Sequence, residues 1–97
     1  MNTRLVWDEA KRQSNLQKHR LDFSDAVLES RFRLDVVQHG ESEMRLLSIS
    51  YVLDFLAVLS VVHTERDGSA RVISFRRASR LEREAYDGWL ENECDES

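Results

Sequence analysis

The chain has 97 residues, an apolar fraction of 41% and a formal net charge of −4. That length predicts a single domain, spanning residues 1–97, and the apolar fraction excludes a disordered chain. The negative charge argues against a general nucleic-acid coat protein, and the single cysteine excludes an internal disulfide framework.

The first third of the chain predicts one strand and two helices. Residues 5–7 have the composition of a short strand. Asp8 follows them and is a good cap for a helix over residues 9–18, because its carboxylate can accept the free amides of the first turn. Ser24 has the same capping character and predicts a second, short helix over residues 24–30.

Four strand segments follow these helices. They lie at residues 32–37, 45–53, 55–63 and 70–77. Asp54 leaves only a tight connection between the second and third of them, and Asp67-Gly68 is a hairpin signal between the third and fourth. The four segments therefore predict an antiparallel meander.

The last helix begins with a capping box formed by Ser79 and Glu82. Its expected buried stripe consists of apolar residues at helical spacing, namely Ala78, Leu81, Ala85 and Trp89. The predicted order is β-α-α-β-β-β-β-α, with two N-terminal helices and one C-terminal helix. We therefore expect an α+β domain with an antiparallel sheet and its helices on one face.

Charge is distributed unevenly along the second half of the chain. Residues 66–83 carry six arginines against two acidic residues, whereas residues 84–97 carry six acidic residues and no basic one. This segregation predicts an anionic ligand at the basic segment. The acidic tail at about 91–97 is expected to be frayed, as chain ends often are.

Several classes of function are disfavoured by what the sequence lacks. The longest apolar stretch, residues 55–62, is too short to cross a bilayer, so no membrane association is expected. The N-terminus has no signal-peptide pattern, which predicts a cytoplasmic protein. The histidines and Cys94 show no metal-ligand spacing, and there is no glycine-rich phosphate loop. We expect neither a metal nor another cofactor.

A dispersed set of residues resembles one known family. The set comprises Trp7-Asp8-Glu9-Ala10-Lys11, Asn15-Leu16-x-Lys18-His19, Phe23, Ala26, Glu43-x-Arg45 and Ile73-Ser74-x-Arg76-x-Ala78-Ser79-x-x-Glu82-x-x-x-Tyr86. In this order the residues look like those of the BrnT toxins of type II toxin–antitoxin pairs. Three positions depart from the family pattern: Arg20 and Ser50 stand where glycine is common, and Phe75 replaces a smaller residue.

The resemblance implies a fold, an activity and a partner. The fold is RelE-like, and the activity is that of a metal-independent endoribonuclease that cleaves RNA and inhibits translation and growth. The implied partner is a BrnA-type antitoxin with a ribbon-helix-helix domain, which neutralises the toxin, is expected to form heterotetramers with it, and alone contacts operator DNA. The alternative is a degenerate toxin that binds an antitoxin or the ribosome without catalysis.

Arginines are the leading candidates for the catalytic cations. Arg76 ends a strand beside a helix N-terminus, where both its guanidinium and the backbone amides favour phosphate. The alternative role of Arg76 is a structural one, in an ion pair with Glu82 or Glu43. Arg45 projects from a neighbouring strand and matches the family pattern. The alternative is that Arg45 is a solvent-facing strand residue without a catalytic role.

The remaining candidates each have more than one possible role. Lys18 is expected to act as a base, an acid or a phosphate ligand, and Glu43 as a base or orienting carboxylate. His19 could transfer protons but could equally complement the helix dipole. His63 is a supporting residue for RNA or a hydrogen-bonded structural histidine.

Three further arginines lie around the same junction. Arg77 and Arg80 are expected to support RNA binding. Arg71 and Arg77 alternate to the face opposite Arg76, which predicts peripheral contact with RNA or none. On the last helix, Tyr86 and Leu90 lie beside the expected buried stripe and predict a contact patch for the antitoxin.

Overall fold

A computed structural model gives the fold of residues 3–39 and 43–94. These residues form five strands and two α-helices in the order β-α-β-β-β-β-α. Their bounds are β1 Arg4–Trp7, α1 Glu9–His19, β2 Leu34–His39, β3 Met44–Val52, β4 Ala57–Arg66, β5 Ser69–Arg77 and α2 Arg80–Cys94. Within these ranges, no helix is both long enough and apolar enough to span a membrane.

The strands form one mixed sheet in the order β1-β5-β4-β3-β2. Strands β2 to β5 are an antiparallel meander, and β1 pairs in parallel with β5 at the edge. Asp67 and Gly68 connect β4 to β5 with φ angles of 50° and 80°. Two positive φ angles match the right-handed twist of a hairpin, which explains the Asp-Gly pair at this turn.

The expected second N-terminal helix is absent from the described residues, so that prediction was wrong. Only a 3₁₀ turn forms, Phe23–Asp25, and Ala26 already has extended backbone angles. The buried side chains of this segment are Leu21, Phe23, Ala26 and Leu28. An α-helix cannot direct that irregular spacing towards one side, whereas an extended chain after a turn can.

The sheet buries side chains on both of its faces. The segment over residues 21–28 packs against Leu59, Val61, Val72 and Phe75 on what we call the loop face. Helix α2 packs against Leu47, Ile49, Val58 and Val62 on the opposite face, which we call the α2 face. Neighbouring residues of β4 alternate between these two clusters, as a pleated strand requires.

Helix α1 lies along the part of β5 that extends beyond β1. The side-chain amide of Asn15 donates to the Phe75 carbonyl at 2.7 Å and accepts from the Phe75 amide at 3.1 Å. Since the last β1 pairing joins Trp7 to Val72, Asn15 satisfies backbone groups that no strand reaches. The amide also donates to the Leu21 carbonyl at 3.0 Å, which ties the chain after α1 to the sheet.

Capping residues set the ends of both helices. Asp8 accepts from the amides of Ala10 and Lys11 at the start of α1, and Ser79 and Glu82 form the expected reciprocal capping box before α2. Arg20 ends α1 in the left-handed region with φ 59°, so it takes the conformation that glycine adopts more easily.

The buried side of α2 differs from the expected stripe. Leu81 is 78% exposed and Ala85 is exposed, whereas Tyr86 is only 3% exposed. The Tyr86 hydroxyl donates to the Phe32 carbonyl at 2.9 Å and accepts from the Tyr51 amide at 3.3 Å. Tyr86 is therefore a core residue and not part of an exposed contact patch.

The expected frayed tail falls partly on α2. The helix continues to Cys94, so residues 91–94 are helical, while residues 95–97 lie outside the described residues.

Candidate active site

A cationic pocket lies between the last turns of α1 and the edge of β5. It has a volume of about 300 Å³, and its lining residues are Lys11, Ser14, Asn15, Lys18, His19, Ile73 and Ser74. Lys18 and His19 are both exposed at the carboxyl end of α1. Because Asn15 fixes α1 against Phe75, a buried contact determines where the end of α1 that carries both residues lies relative to β5.

Arg76 lies two residues beyond Ser74 on the α2 face. Its guanidinium makes two parallel bonds with the Glu82 carboxylate, Nη1 to Oε1 and Nη2 to Oε2, each 2.8 Å long. Glu82 also accepts from the Ser60 hydroxyl and the Ser79 amide. The Arg76 guanidinium, followed by these bonds, lowers the pKa of Glu82 from 4.5 to about 2. Arg76 is therefore held in one orientation at the start of α2.

Arg45 and Glu43 lie at the other end of the sheet. Arg45 is next to Leu46, which pairs with His63, whereas Arg76 pairs with Ser60. Two strand spacings of ~4.8 Å and four residues of ~3.3 Å thus separate them, or about 16 Å between Cα atoms. Arg45 Nε is buried without a hydrogen-bond partner among the described residues, and Glu43 Oε1 is 3.9 Å away from it.

His63 lies on the loop face and is 0% exposed. Its Nε2 is 2.7 Å from the Ser48 hydroxyl, and that hydroxyl donates to Asp35 at 2.7 Å. Since the hydroxyl proton goes to Asp35, His63 Nε2 must be the donor in the first bond. Its Nδ1 has no hydrogen bond among the described residues and lies 3.6 Å from Glu65. Burial lowers the pKa of His63, so the neutral ring is favoured here. These contacts are those of a structural histidine.

The other arginines are divided between the two faces of the sheet. Arg77 pairs with Leu59 and so points to the loop face, while Arg80 is an exposed residue at the start of α2, 3.5 Å from Glu84. Arg71 pairs with Thr64, which has the same orientation as Ser60, the partner of Arg76. Arg71 and Arg76 therefore share the α2 face, and the prediction that Arg71 faces away was wrong.

A β-bulge explains the orientation of Arg71. The pairing with β4 shifts between Val62 and His63, so that Ser74 and Val72 oppose consecutive β4 residues and Ile73 is extra. One extra residue reverses the alternation of side chains on one side of it. The sequence contains no glycine or other signal for a bulge at this point.

Of the residues that line the α1 pocket, only Lys18 and His19 were predicted as site residues from the sequence. Lys11 and Ser74 line it together with Lys18. Lys11 lies seven residues before Lys18, a spacing that places both on one side of a helix, so helical periodicity could have indicated it. In the part of the chain that the structure describes, no group of three or more His, Cys, Asp or Glu residues is placed to hold a metal ion.

Comparison with known proteins identifies a family and a similar solved structure. The family model for BrnT, the ribonuclease toxin of type II toxin–antitoxin systems, matches residues 7–82. The chain belongs to the BrnT family. It is also similar to the ribonuclease toxin BrnT of Brucella abortus, whose crystal structure has 34% sequence identity and a TM-score of 0.61, over 81% of this chain and 100% of that chain. A comparison with curated proteins found no match.

Membership of the BrnT family confirms the resemblance noted from the sequence and identifies a ribonuclease toxin whose partner is an antitoxin. The departures from the family pattern can now be located. Phe75 is 0% exposed on the loop face and packs edge-to-face with Phe55, at 6.4 Å between ring centroids. It therefore points away from Arg76 and does not narrow the pocket beside Lys18. Ser50 is likewise buried on the loop face.

Proposed function

We propose that this BrnT protein is a metal-independent endoribonuclease whose active site is the α1 pocket together with Arg76. The observation that carries the proposal is the placement of Lys18 and His19 against Ser74, with Arg76 next on the same strand. Cleavage of RNA at its own 2′-hydroxyl needs a base, an acid and cations for the charge that develops on phosphate. Side chains present in this pocket supply all three.

In the proposed reaction the 2′-hydroxyl of a nucleotide attacks the adjacent phosphate and the 5′-oxygen of the next nucleotide leaves. The product is a 2′,3′-cyclic phosphate and a free 5′-hydroxyl. Lys18 and His19 take the proton from the nucleophile and return one to the leaving oxygen. Lys11 contributes a further positive charge on the same side of α1.

Arg76 would bind the phosphate in a fixed orientation. Glu82 accepts one N–H from Nη1 and one from Nη2, and Nη1 also donates to the Arg77 carbonyl at 3.3 Å. The Nε–H group and the second N–H of Nη2 are therefore the donors available to a ligand. A held guanidinium needs no reorganisation when charge develops, and this is the feature that makes preorganised donors effective. Arg45 and Glu43 lie too far along the sheet to act on the same phosphate, so we propose that they contact other parts of the RNA.

We further propose that the cleaved RNA is one needed for translation and that the protein acts in the cytoplasm. Its antitoxin is proposed to be of the BrnA ribbon-helix-helix type, to form a heterotetramer with the toxin, and to provide all contact with operator DNA. The exposed acidic residues of α2 support a basic partner of this kind, since opposite charge speeds encounter. They are Glu84, Asp87, Glu91 and Glu93.

A second candidate function is non-catalytic binding of an antitoxin or the ribosome. The observation that favours it is the Arg76–Glu82 pair, because a carboxylate already pairs with the guanidinium that was expected to bind phosphate. The two functions differ in one measurable property, which is turnover of RNA by the purified protein.

Substitution of Lys18 tests the catalytic proposal. Lys18→Ala should lower kcat for RNA cleavage about a hundredfold, since a positioned acid or base contributes that much or more. Arg83→Ala is the matched control, because it removes the same charge from an exposed position on α2. Growth and incorporation of labelled amino acids should recover with Lys18→Ala and not with Arg83→Ala. Wild-type protein without RNA turnover would favour the binding function instead.

A further inference from the structure

The end of the α2 face that α2 does not cover contains a wide groove. Its volume is about 740 Å³, within the ~300–1,000 Å³ range of sites that hold small-molecule-sized groups. The lining residues are Val6, Glu43, Met44, Thr64, Glu65, Arg66, Ser69 and Arg71. The groove lies on the same face as Arg76.

Three arginines lie in this groove or directly beside it. Arg71 and Arg66 line the groove. Arg45 lies across the sheet from Arg71, because Thr64 on β4 pairs with Arg71 on one side and is next to Arg45 of β3 on the other. Two strand spacings thus place the Cα atoms of Arg45 and Arg71 about 10 Å apart. Long side chains from these positions can reach one phosphate or two adjacent ones.

Two carboxylates also belong to the groove, and their positions matter for its charge. Glu65 accepts from Arg33 at 3.0 Å and lies near His63, so its carboxylate is turned to the loop face. Glu43 is 3.9 Å from Arg45 and is the carboxylate that opposes the arginines. With Glu65 turned away, Glu43 is, among the described residues, the one groove carboxylate that faces Arg66, Arg71 and the adjacent Arg45, so the balance among these four side chains is positive.

The groove arginines have free hydrogen-bonding capacity. Among the described residues, no ion pair involves Arg71 or Arg66. Arg45 Nε is buried and without a hydrogen-bond partner in the described part of the chain. Because this Nε is shielded from solvent, an anion would bind through the exposed end of the Arg45 side chain, which is 37% exposed as a whole.

We propose that Arg71 and Arg45 form a second phosphate-binding subsite, which holds the RNA backbone at a distance from the bond that is cleaved. Strand β5 connects this subsite to the active site, since Arg71 is followed by Ile73 and Ser74 of the α1 pocket and then by Arg76. The subsite exists because the bulge at Ile73 turns Arg71 to the α2 face. This inference rests on the proposed ribonuclease function.

Binding of an uncleavable RNA tests the subsite without requiring catalysis. The probe is a fluorescein-labelled single-stranded RNA in which every 2′-hydroxyl is methylated, titrated by fluorescence anisotropy over a series of salt concentrations. Arg71→Ala should weaken binding about tenfold and reduce the slope of log K against log salt by about 0.7, the value for one lost phosphate contact on a single strand. Arg71→Lys should retain the slope, because it keeps the charge.

Arg83→Ala is again the charge-matched control and should leave the binding affinity and its salt dependence unchanged. With cleavable RNA, Arg71→Ala should raise KM about tenfold and leave kcat unchanged within about twofold. Circular dichroism checks that each variant is folded. If Arg71→Ala behaves like Arg83→Ala in binding and in KM, the subsite does not exist. If the wild-type protein binds the probe with the expected Arg71 dependence but never cleaves RNA, the proposed function fails and the subsite stands.

Discussion

The Arg76–Glu82 pair makes a quantitative prediction about stability. Its two bonds are each 2.8 Å long, and the side chains are 29% and 17% exposed, so the pair is partly shielded from water. The pKa of Glu82 falls from 4.5 to about 2. At 1.36 kcal/mol per pKa unit, this shift corresponds to a stabilisation of the folded protein by at most about 3 kcal/mol. Solvent screening and the bonds from Ser60 and Ser79 reduce the share of Arg76, so we expect a coupling of about 1–2 kcal/mol.

A double-mutant cycle measures this coupling. The variants are Arg76→Ala, Glu82→Ala and the double substitution, each unfolded in urea at neutral pH and followed by circular dichroism. We expect Arg76→Ala to cost about 2 kcal/mol and Glu82→Ala about 3 kcal/mol, since the latter also removes the capping box. A coupling below about 0.5 kcal/mol, the value typical of an exposed ion pair, would refute the structural role given to the pair.

The pair also predicts a pH dependence with a definite sign. A carboxyl whose pKa is lowered on folding stabilises the protein above its unfolded pKa, and this stabilisation is lost as pH falls towards the folded pKa. The contribution of Glu82 should therefore be complete above pH 4.5 and disappear near pH 2. The stability difference between wild type and Glu82→Gln should decrease over that interval, and a difference that stays constant would contradict the lowered pKa.

Three other substitutions test single contacts. Asn15→Ala should cost about 3 kcal/mol in urea unfolding, because it leaves backbone groups of Phe75 without partners, whereas the exposed Gln17→Ala should cost less than about 0.5 kcal/mol. Because burial lowers the pKa of His63, wild-type stability should fall as pH drops below 6.5, and His63→Gln should show a smaller pH dependence; equal slopes would contradict this. Arg20→Gly should stabilise the protein by about 1 kcal/mol by removing a side chain from a left-handed cap, and a loss of stability would show that Arg20 makes a compensating contact.

Local signals predicted much of the fold because their causes are local. Asp8 caps α1, Ser79 and Glu82 form the box before α2, and the Asp-Gly pair makes the β4–β5 turn. Each of these depends on hydrogen bonds or backbone angles within a few residues. The strand segments were likewise placed within a few residues of their observed bounds.

Errors occurred where distant contacts decide the outcome. The buried side of α2 is set by Glu82 reaching Arg76 and by Tyr86 reaching the Phe32 carbonyl, which leaves Leu81 exposed. The spacing of apolar residues alone had predicted that the side of α2 with Leu81 and Ala85 is buried. Similarly, the residues after the 3₁₀ turn extend because Leu28 must reach the core, although Ser24 has the character of a helix cap.

The candidate site was predicted in part for the same reason. Lys18, His19 and Arg76 were singled out from the sequence, and the structure places Lys18 and His19 in one pocket with Ser74, two residues before Arg76 on β5. Arg45 and Glu43 were expected to join them but lie at the far end of the sheet. Their place depends on strand register, and the position of Arg71 depends on a bulge, neither of which the sequence specifies.

The central claim is that side chains of this protein cleave RNA at its own 2′-hydroxyl without a metal. The most direct test is to incubate purified protein with RNA in excess EDTA and to identify the product ends by mass spectrometry. We expect cleavage to persist and to leave 2′,3′-cyclic or 3′-phosphate ends, and a single 2′-deoxy nucleotide at the cleavage position to abolish it. Loss of cleavage on chelation with recovery in magnesium, or products with 5′-phosphate and 3′-hydroxyl ends, would contradict the claim.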